Sequence, residues 1–221
     1  MPPVLRPRPG PPTPELSFPL FYTADPSLLS LVQTLDAGLM AAFPEFGNGA
    51  AASRVVLRPD EATGRGAYLA DGVTLSQRTP VGFYFGEITS AVSSDEFSLS
   101  MPVVRRGRAA LHLTVDAGAS CRGACAHPLN MAMYAHSCRE PTVHPSWFTE
   151  LDLPCAVAYA PAGLSARSPL RWNYDGGGSG SGYTLSRREM LDFLASGGRA
   201  VPCACRQAQP CPRGRWLRVF D

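Results

Sequence analysis

Met133-Tyr134-Ala135-His136-Ser137-Cys138 is the stretch on which the reading of this chain turns, because patterns far from it in sequence make chemical sense only when brought to it. Upstream lie Gly64-Arg65-Gly66 and Tyr84-Phe85-Gly86-Glu87; downstream lie Leu170-Arg171-Trp172-Asn173-Tyr174 and the cysteines Cys203, Cys205 and Cys211. The late cysteines offer three thiolates within one short, Pro-containing loop, whereas a structural zinc takes four ligands in a tetrahedron. Cys138, beside His136 and Ser137, is the candidate fourth ligand. An ion joining it to the others would pin the C-terminal segment over the central stretch and couple metal binding to closure of the tail. The same three cysteines also allow a shared metal in a dimer, or none.

The surrounding composition sets the frame. With 45% hydrophobic residues in 221, the chain can bury a substantial core, and its length suits one domain with extensions or two small ones. Twenty-two Pro and 21 Gly favour short strands and many turns over long helices. All 20 basic residues are Arg, which GC-rich coding explains, and a net charge of +2 is too small to indicate nucleic-acid binding. No apolar run reaches the roughly 18 residues of a membrane span, and residues 1–15 lack the apolar core of a secretory signal. A protein that is not secreted is the expectation, and its seven cysteines then read as metal ligands or buried thiols.

Along the chain, residues 1–20 read as a Pro-rich disordered arm and 21–53 as a helical extension with a linker. Leu28, Leu31, Val32, Leu35 and Leu39 share one helical face behind an Asp25 cap and Pro26, which predicts an amphipathic helix packed on the main domain. Gly47 to Ser53 reads as a flexible joint. From Arg54 onward, short apolar runs between Gly, Pro and Asp predict hairpins and a meander. The Cys121 to His127 loop lacks a fourth metal ligand and reads as an insertion with ordinary thiols. Residues 176–200 read as a Gly/Ser linker and a short helix, since Ser186-Arg187-Arg188-Glu189 has capping-box spacing and Gly197-Gly198 can end a helix begun there. Residues 201–221 form the cysteine-bearing tail.

Taken in order, these patterns resemble the SET-domain protein lysine methyltransferases over roughly Arg54 to Leu217. Gly64-Arg65-Gly66-Ala67-Tyr68 resembles the family's Gly-x-Gly turn, Tyr84-Phe85-Gly86-Glu87 its Tyr-x-Gly-Glu strand, and Phe97-Ser98-Leu99 with Leu113-Thr114-Val115-Asp116-Ala117 its middle strands. His136-Ser137-Cys138 matches the end of the Asn-His-Ser-Cys signature, Leu170 to Tyr174 the closing strand, and the tail the post-SET cysteine cluster.

The resemblance implies a mainly β fold with short helices: a SET domain (β-clip) over 54–175 with a C-terminal pseudoknot, an N-terminal helical extension and a post-SET zinc segment. It implies S-adenosylmethionine as cofactor and one structural zinc on Cys138, Cys203, Cys205 and Cys211. Gly64, Arg65, Gly66, Ala135 and His136 are the implied cofactor residues, chiefly through backbone, and Trp216 is the implied cover over the adenine. Tyr174 takes the place of the catalytic tyrosine, Tyr84 is a second polar wall, and Trp172 with Tyr84 borders the lysine channel. The implied partner is a protein with an exposed lysine, a histone tail foremost. Nucleic acid is met only through chromatin, no membrane is involved, and the location is nuclear or otherwise cytoplasmic. Catalytically weak SET-fold scaffolds share the same pattern.

The departures are specific. Ala135 replaces the signature Asn, Ala132 an Arg three residues earlier, and Pro169 a Glu before the closing leucine. The segment after Cys138 carries one inserted residue, and five residues rather than four separate the last two cysteines. Losing one side-chain hydrogen bond to the cofactor costs about 0.5–1.5 kcal/mol, or up to about tenfold in affinity.

Overall fold

The computed structural model describes residues 20–60, 64–90, 97–101, 104–106, 109–121, 126–136, 141–151, 153–172, 184–202 and 216–219. Its strands are short, as the density of Gly and Pro requires. The first half holds β1 (Val55–Asp60), β2 (Gly64–Leu69), β3 (Thr79–Phe83), β4 (Glu87–Thr89), β5 (Ser98–Ser100), β6 (Val104–Arg106), β7 (Ala109–Leu111) and β8 (Thr114–Asp116). The second holds β9 (Ala135–His136), β10 (His144–Phe148), β11 (Cys155–Ala160), β12 (Arg171–Trp172), β13 (Thr184–Leu185), β14 (Arg199–Pro202) and β15 (Trp216–Val219). Helices are few: α1 (Leu29–Ala42), the single turns α2 (Pro44–Gly47) and α3 (Gly118–Cys121), and α4 (Arg187–Ala195). The strands assemble as separate small sheets: the hairpins β1-β2 and β6-β7, the three-stranded β10-β11-β3, β4-β8-β5 and β13-β15-β14, and the pair β12-β9.

The amphipathic helix forms as its sequence predicts. Asp25 Oδ1 accepts the Ser27 N–H at 2.9 Å and its hydroxyl at 2.7 Å, Pro26 opens a short 3-10 turn, and α1 follows. Its stripe of Leu31, Val32, Leu35 and Leu39 is buried with Leu28 in the same core as Phe83, Val157 and Leu170. Each such side chain contributes about 1.5–3 kcal/mol by leaving water. Residues 21–53 are therefore a wall of the main core. Gly47 to Ser53 is not a flexible joint: Ala51 and Ala52 are buried, and a 3-10 turn over Ala52–Arg54 leads into β1. The small Ala side chains that looked like linker composition let the chain turn against the core. Aromatic rings extend that core from α2 into β3, with Phe46 against Phe83 at 4.8 Å and Phe83 against Phe85 at 5.0 Å between centroids.

One other expectation changes. Gly64-Arg65-Gly66 is a strand, not a turn: it opens β2, in register with Asp60, Pro59 and Arg58 of β1. The left-handed glycine of this region is Gly72, past the end of β2. The Cys121 to His127 segment is anchored in the core at both ends. Cys121 is buried, and His127 is buried with its ring edge-on to Phe85. His127 Nδ1 accepts the Leu129 N–H at 3.2 Å.

The capping box is realised in full. Ser186 N–H donates to Glu189 Oε2 at 2.8 Å, and Glu189 N–H donates to Ser186 Oγ at 3.3 Å. Gly197 adopts φ +86, and the Gly197 and Gly198 N–H groups donate to the carbonyls of Leu194 and Phe193. That is a Schellman closure, in which only glycine takes the left-handed residue without strain. Phe193 lies where a Gly198 Cβ would be. Helix α4 packs on β14 and β13, so the short helix and the cysteine-bearing tail form one unit rather than a linker followed by a tail.

Candidate functional site

Strand β9 carries the second half of the central stretch, and it pairs in parallel with β12: Ala135 opposite Arg171, Trp172 opposite His136. Parallel neighbours need a long crossover between them. Here it is supplied by β10 and β11, which fold back as a hairpin onto β3. The segment entering β12 pairs with β2, through a Tyr68–Pro169 bridge, Leu69 N–H to Ser168 O at 2.9 Å and Leu170 N–H to Ala67 O at 2.8 Å. Strand β2 also packs beside β9. Thus the Gly64-Arg65-Gly66 strand, Ala135-His136 and Arg171-Trp172 meet at one junction, although more than 100 residues separate the first from the last.

The Tyr84 to Glu87 motif reaches the same junction through buried polar contacts. Asn130, fully buried, donates from Nδ2 to Phe85 O at 3.0 Å and to Ser120 Oγ at 2.8 Å, and accepts the Ala132 N–H on Oδ1 at 3.1 Å. Phe83 N–H donates to Leu129 O at 3.0 Å. Four residues on, the Tyr134 hydroxyl donates to Val81 O at 2.5 Å, and burial raises its pKa far above the phenol value of 10.0. Tyr134 is therefore a neutral strut, not an acid or base. It dictates the residue opposite: a Cβ on Gly82 would collide with the Tyr134 ring and lie 2.6 Å from Leu129 O. Gly86 is equally constrained, because at φ +156 its missing Cβ would strike the backbone of Asp116 and Ala117. Asn130, Gly82 and Tyr134 escaped the sequence reading. An Asn capping the 3-10 turn Met131–Met133 was the available local signal for the first.

The predicted site residues are distributed as follows. Arg65 is exposed on β2. Tyr84 is buried, its hydroxyl donating to Phe97 O at 2.6 Å and its N–H to Ala156 O at 2.9 Å. Trp172 is buried within the main core. Trp216 is half-buried in β15, opposite Pro202 and Leu185, and no hydrogen bond or ring contact among the described residues joins it to β9. Tyr174, Cys138, Cys203, Cys205 and Cys211 lie outside the described residues, as does the chain after Trp172 where the pseudoknot is expected. Among the described residues no group of three or more His, Cys, Asp and Glu side chains could hold a metal. Pro202 and Trp216, which flank Cys203, Cys205 and Cys211 in sequence, are partners in the β14–β15 ladder. No helix of the described residues is long and apolar enough to cross a membrane.

What the junction can do chemically follows from its composition. Strand β2 opens on Gly64-Arg65-Gly66 and β9 on Ala135, so side-chain bulk is low at Gly64, Gly66 and Ala135, while Arg65, His136, Arg171 and Trp172 supply it elsewhere in the junction. Such a surface suits a ligand held by main-chain N–H and C=O groups.

No protein-family model and no curated protein sequence matches this chain. Among solved structures, the methyltransferase domain of human PR domain-containing protein 2 is similar at a TM-score of 0.38 and 16% identity, over 57% of this chain and 81% of that one. A structure described as ctPRC2 in an autoinhibited conformation bound to S-adenosylmethionine is similar at a TM-score of 0.38 and 16% identity, over 80% of this chain and 22% of that one. At that TM-score neither likeness carries an argument, and the functional reading rests on the chain's own residues and pairing.

Proposed function

We propose that this protein is an S-adenosylmethionine-dependent protein-lysine N-methyltransferase of the SET type, acting on an exposed lysine such as that of a histone tail. The observation that carries the reading is the strand junction: parallel pairing of Ala135-His136 with Arg171-Trp172, beside the Gly64-Arg65-Gly66 strand. Those are the motifs that the resemblance requires around one cofactor, and their low bulk fits a molecule gripped by backbone.

When bound, S-adenosylmethionine supplies a methyl group on a sulfonium sulfur. The chain's residues must align the amine with that carbon and exclude water. Tyr174, two positions past Trp172, orients the lysine amine. The Tyr84 hydroxyl donates to Phe97 O, and a hydroxyl in that orientation faces a substrate amine N–H as an acceptor. Trp172 narrows the inner end of the channel. Backbone at Gly64 to Gly66 and at Ala135 and His136 holds the cofactor, and Trp216 covers its base. Cys138, Cys203, Cys205 and Cys211 would hold a single zinc, which would tie the segment between β14 and β15 to the central stretch. A nuclear location accompanies a histone substrate.

A second reading is favoured by Ala132 and Ala135, which lack the side chains that in this family reinforce cofactor binding. It is a SET fold with weak catalysis that serves as a peptide-binding or scaffold module. Labelled S-adenosylmethionine with a panel of core histones separates the two. Transfer that drops at least about 100-fold in Tyr174→Phe supports the enzyme, and failure to bind the cofactor at millimolar concentration sinks it.

A further inference from the structure

A groove of about 530 Å³ runs between α1 and the segment before it, lined by Phe21, Tyr22, Leu29, Val32 and Met40 with Asp36 among them. Its walls are apolar, and Tyr22 and Leu29 are 38% and 49% exposed, unusual for large side chains in a surface trough. Asp36 is unusual in the opposite sense. Only 7% of it is exposed, its Oδ1 accepts the Phe21 N–H at 3.1 Å, and no Arg or His pairs with it among the described residues. A buried carboxylate ordinarily has a cationic partner, since taking a lone charge out of water is costly. Among the described residues no basic side chain lines the groove, and Glu87 and Asp116 lie near enough to Tyr22 at its rim to act on its hydroxyl.

We propose that this groove is a docking site for a peptide segment of a partner protein, in which a Lys or Arg enters between apolar neighbours and brings its charged head to Asp36. The alkyl stem of such a side chain covers apolar surface while its head stays polar, matching walls of Leu29, Val32 and Met40 that lead to a carboxylate. The apolar neighbours of the basic residue would cover Tyr22 and Leu29, and the acidic rim would favour cationic partners. The groove is built from residues 21–40 and shares none with the strand junction, so the inference stands or falls separately from methyl transfer.

The test is fluorescence anisotropy with the full chain and a labelled short peptide that carries one arginine between leucines. A matched peptide carries citrulline, which keeps the shape and removes the charge. Saturable binding of the arginine peptide, at least about tenfold weaker with citrulline and about tenfold weaker to Leu29→Arg, is expected. Leu29 is half exposed, so Leu29→Arg tests the groove without a core substitution; Asp36→Asn, checked for an unchanged unfolding midpoint or a higher one, should weaken the arginine peptide alone. Equal binding of the two peptides, or of neither, overturns the proposal. So does tighter binding to the double variant Arg6→Gln, Arg8→Gln, which would make the chain's own N-terminal arm the occupant.

Discussion

The strand junction and the tail unit are both small β assemblies, yet they are held in different ways. At the junction, Leu170, Tyr134, Leu129 and Asn130 are all fully buried, and every short strand leans on a core that also takes in α1 and β11. In the tail unit, α4 buries only Met190 and leaves Leu191 56% and Leu194 43% exposed, while β13 contributes two residues to its sheet. The described side chains of this unit bury little apolar surface, and a unit of that kind gains from a covalent or metal staple. Four cysteines converging on zinc would provide one, and the comparison therefore gives the proposed metal a structural task.

Metal removal probes that contrast most severely, because structural zinc supplies on the order of 10 kcal/mol of folding free energy. Chelation should expose the amides of β14 and β15 to hydrogen exchange while those of β9 and β12 stay protected. Loosening of both regions together, or of neither, would break the distinction. Next in size is Gly86→Ala. Its Cβ has nowhere to go but into the Asp116 backbone, so a loss of about 3 kcal/mol or more in urea unfolding is expected, with the tail's exchange unchanged.

Asn130→Ala should cost about 2–3 kcal/mol, since it removes the hydrogen bonds of a fully buried side chain to Phe85 O, Ser120 Oγ and the Ala132 N–H. It should also weaken cofactor binding, because the stretch it braces leads directly into β9; an unaffected cofactor affinity would show that β9 is positioned from β12 alone. The smallest effect expected is a gain. Burial raises the Asp36 pKa from 3.8 to about 6, against the smaller lowering by the Phe21 and Leu20 N–H groups. A raised acid favours the folded state when protonated, so its ionisation costs stability as pH rises from about 4 to above 6. Asp36→Asn should therefore gain about 1–2 kcal/mol at pH 7 and nothing near pH 4, as read from unfolding midpoints. Equal gains at both pH values would show that packing, not charge, is responsible.

Local features were the most legible in the sequence. The α1 stripe, the Asp25 cap, the capping box at Ser186 and the closure at Gly197 depend on residues within about a turn of each other, and each formed as read. Misreadings arose where tertiary contact overrode composition. Gly64-Arg65-Gly66 has the residues of a turn, but β1 offers it a complete ladder partner. Gly47 to Ser53 has the residues of a linker, but its alanines fit against the core.

By itself, then, the sequence determined the strand-rich character of the chain, its helix boundaries and the ordered set of motifs, because each is encoded in spacing and local hydrogen-bonding chemistry. Only the tertiary structure decided that β9 meets β12 beside β2, that Tyr134 forbids any side chain at residue 82, and that Asp36 lies buried beside an open groove with no cationic partner among the described residues. These depend on which distant surfaces exclude water together, and no local pattern records that.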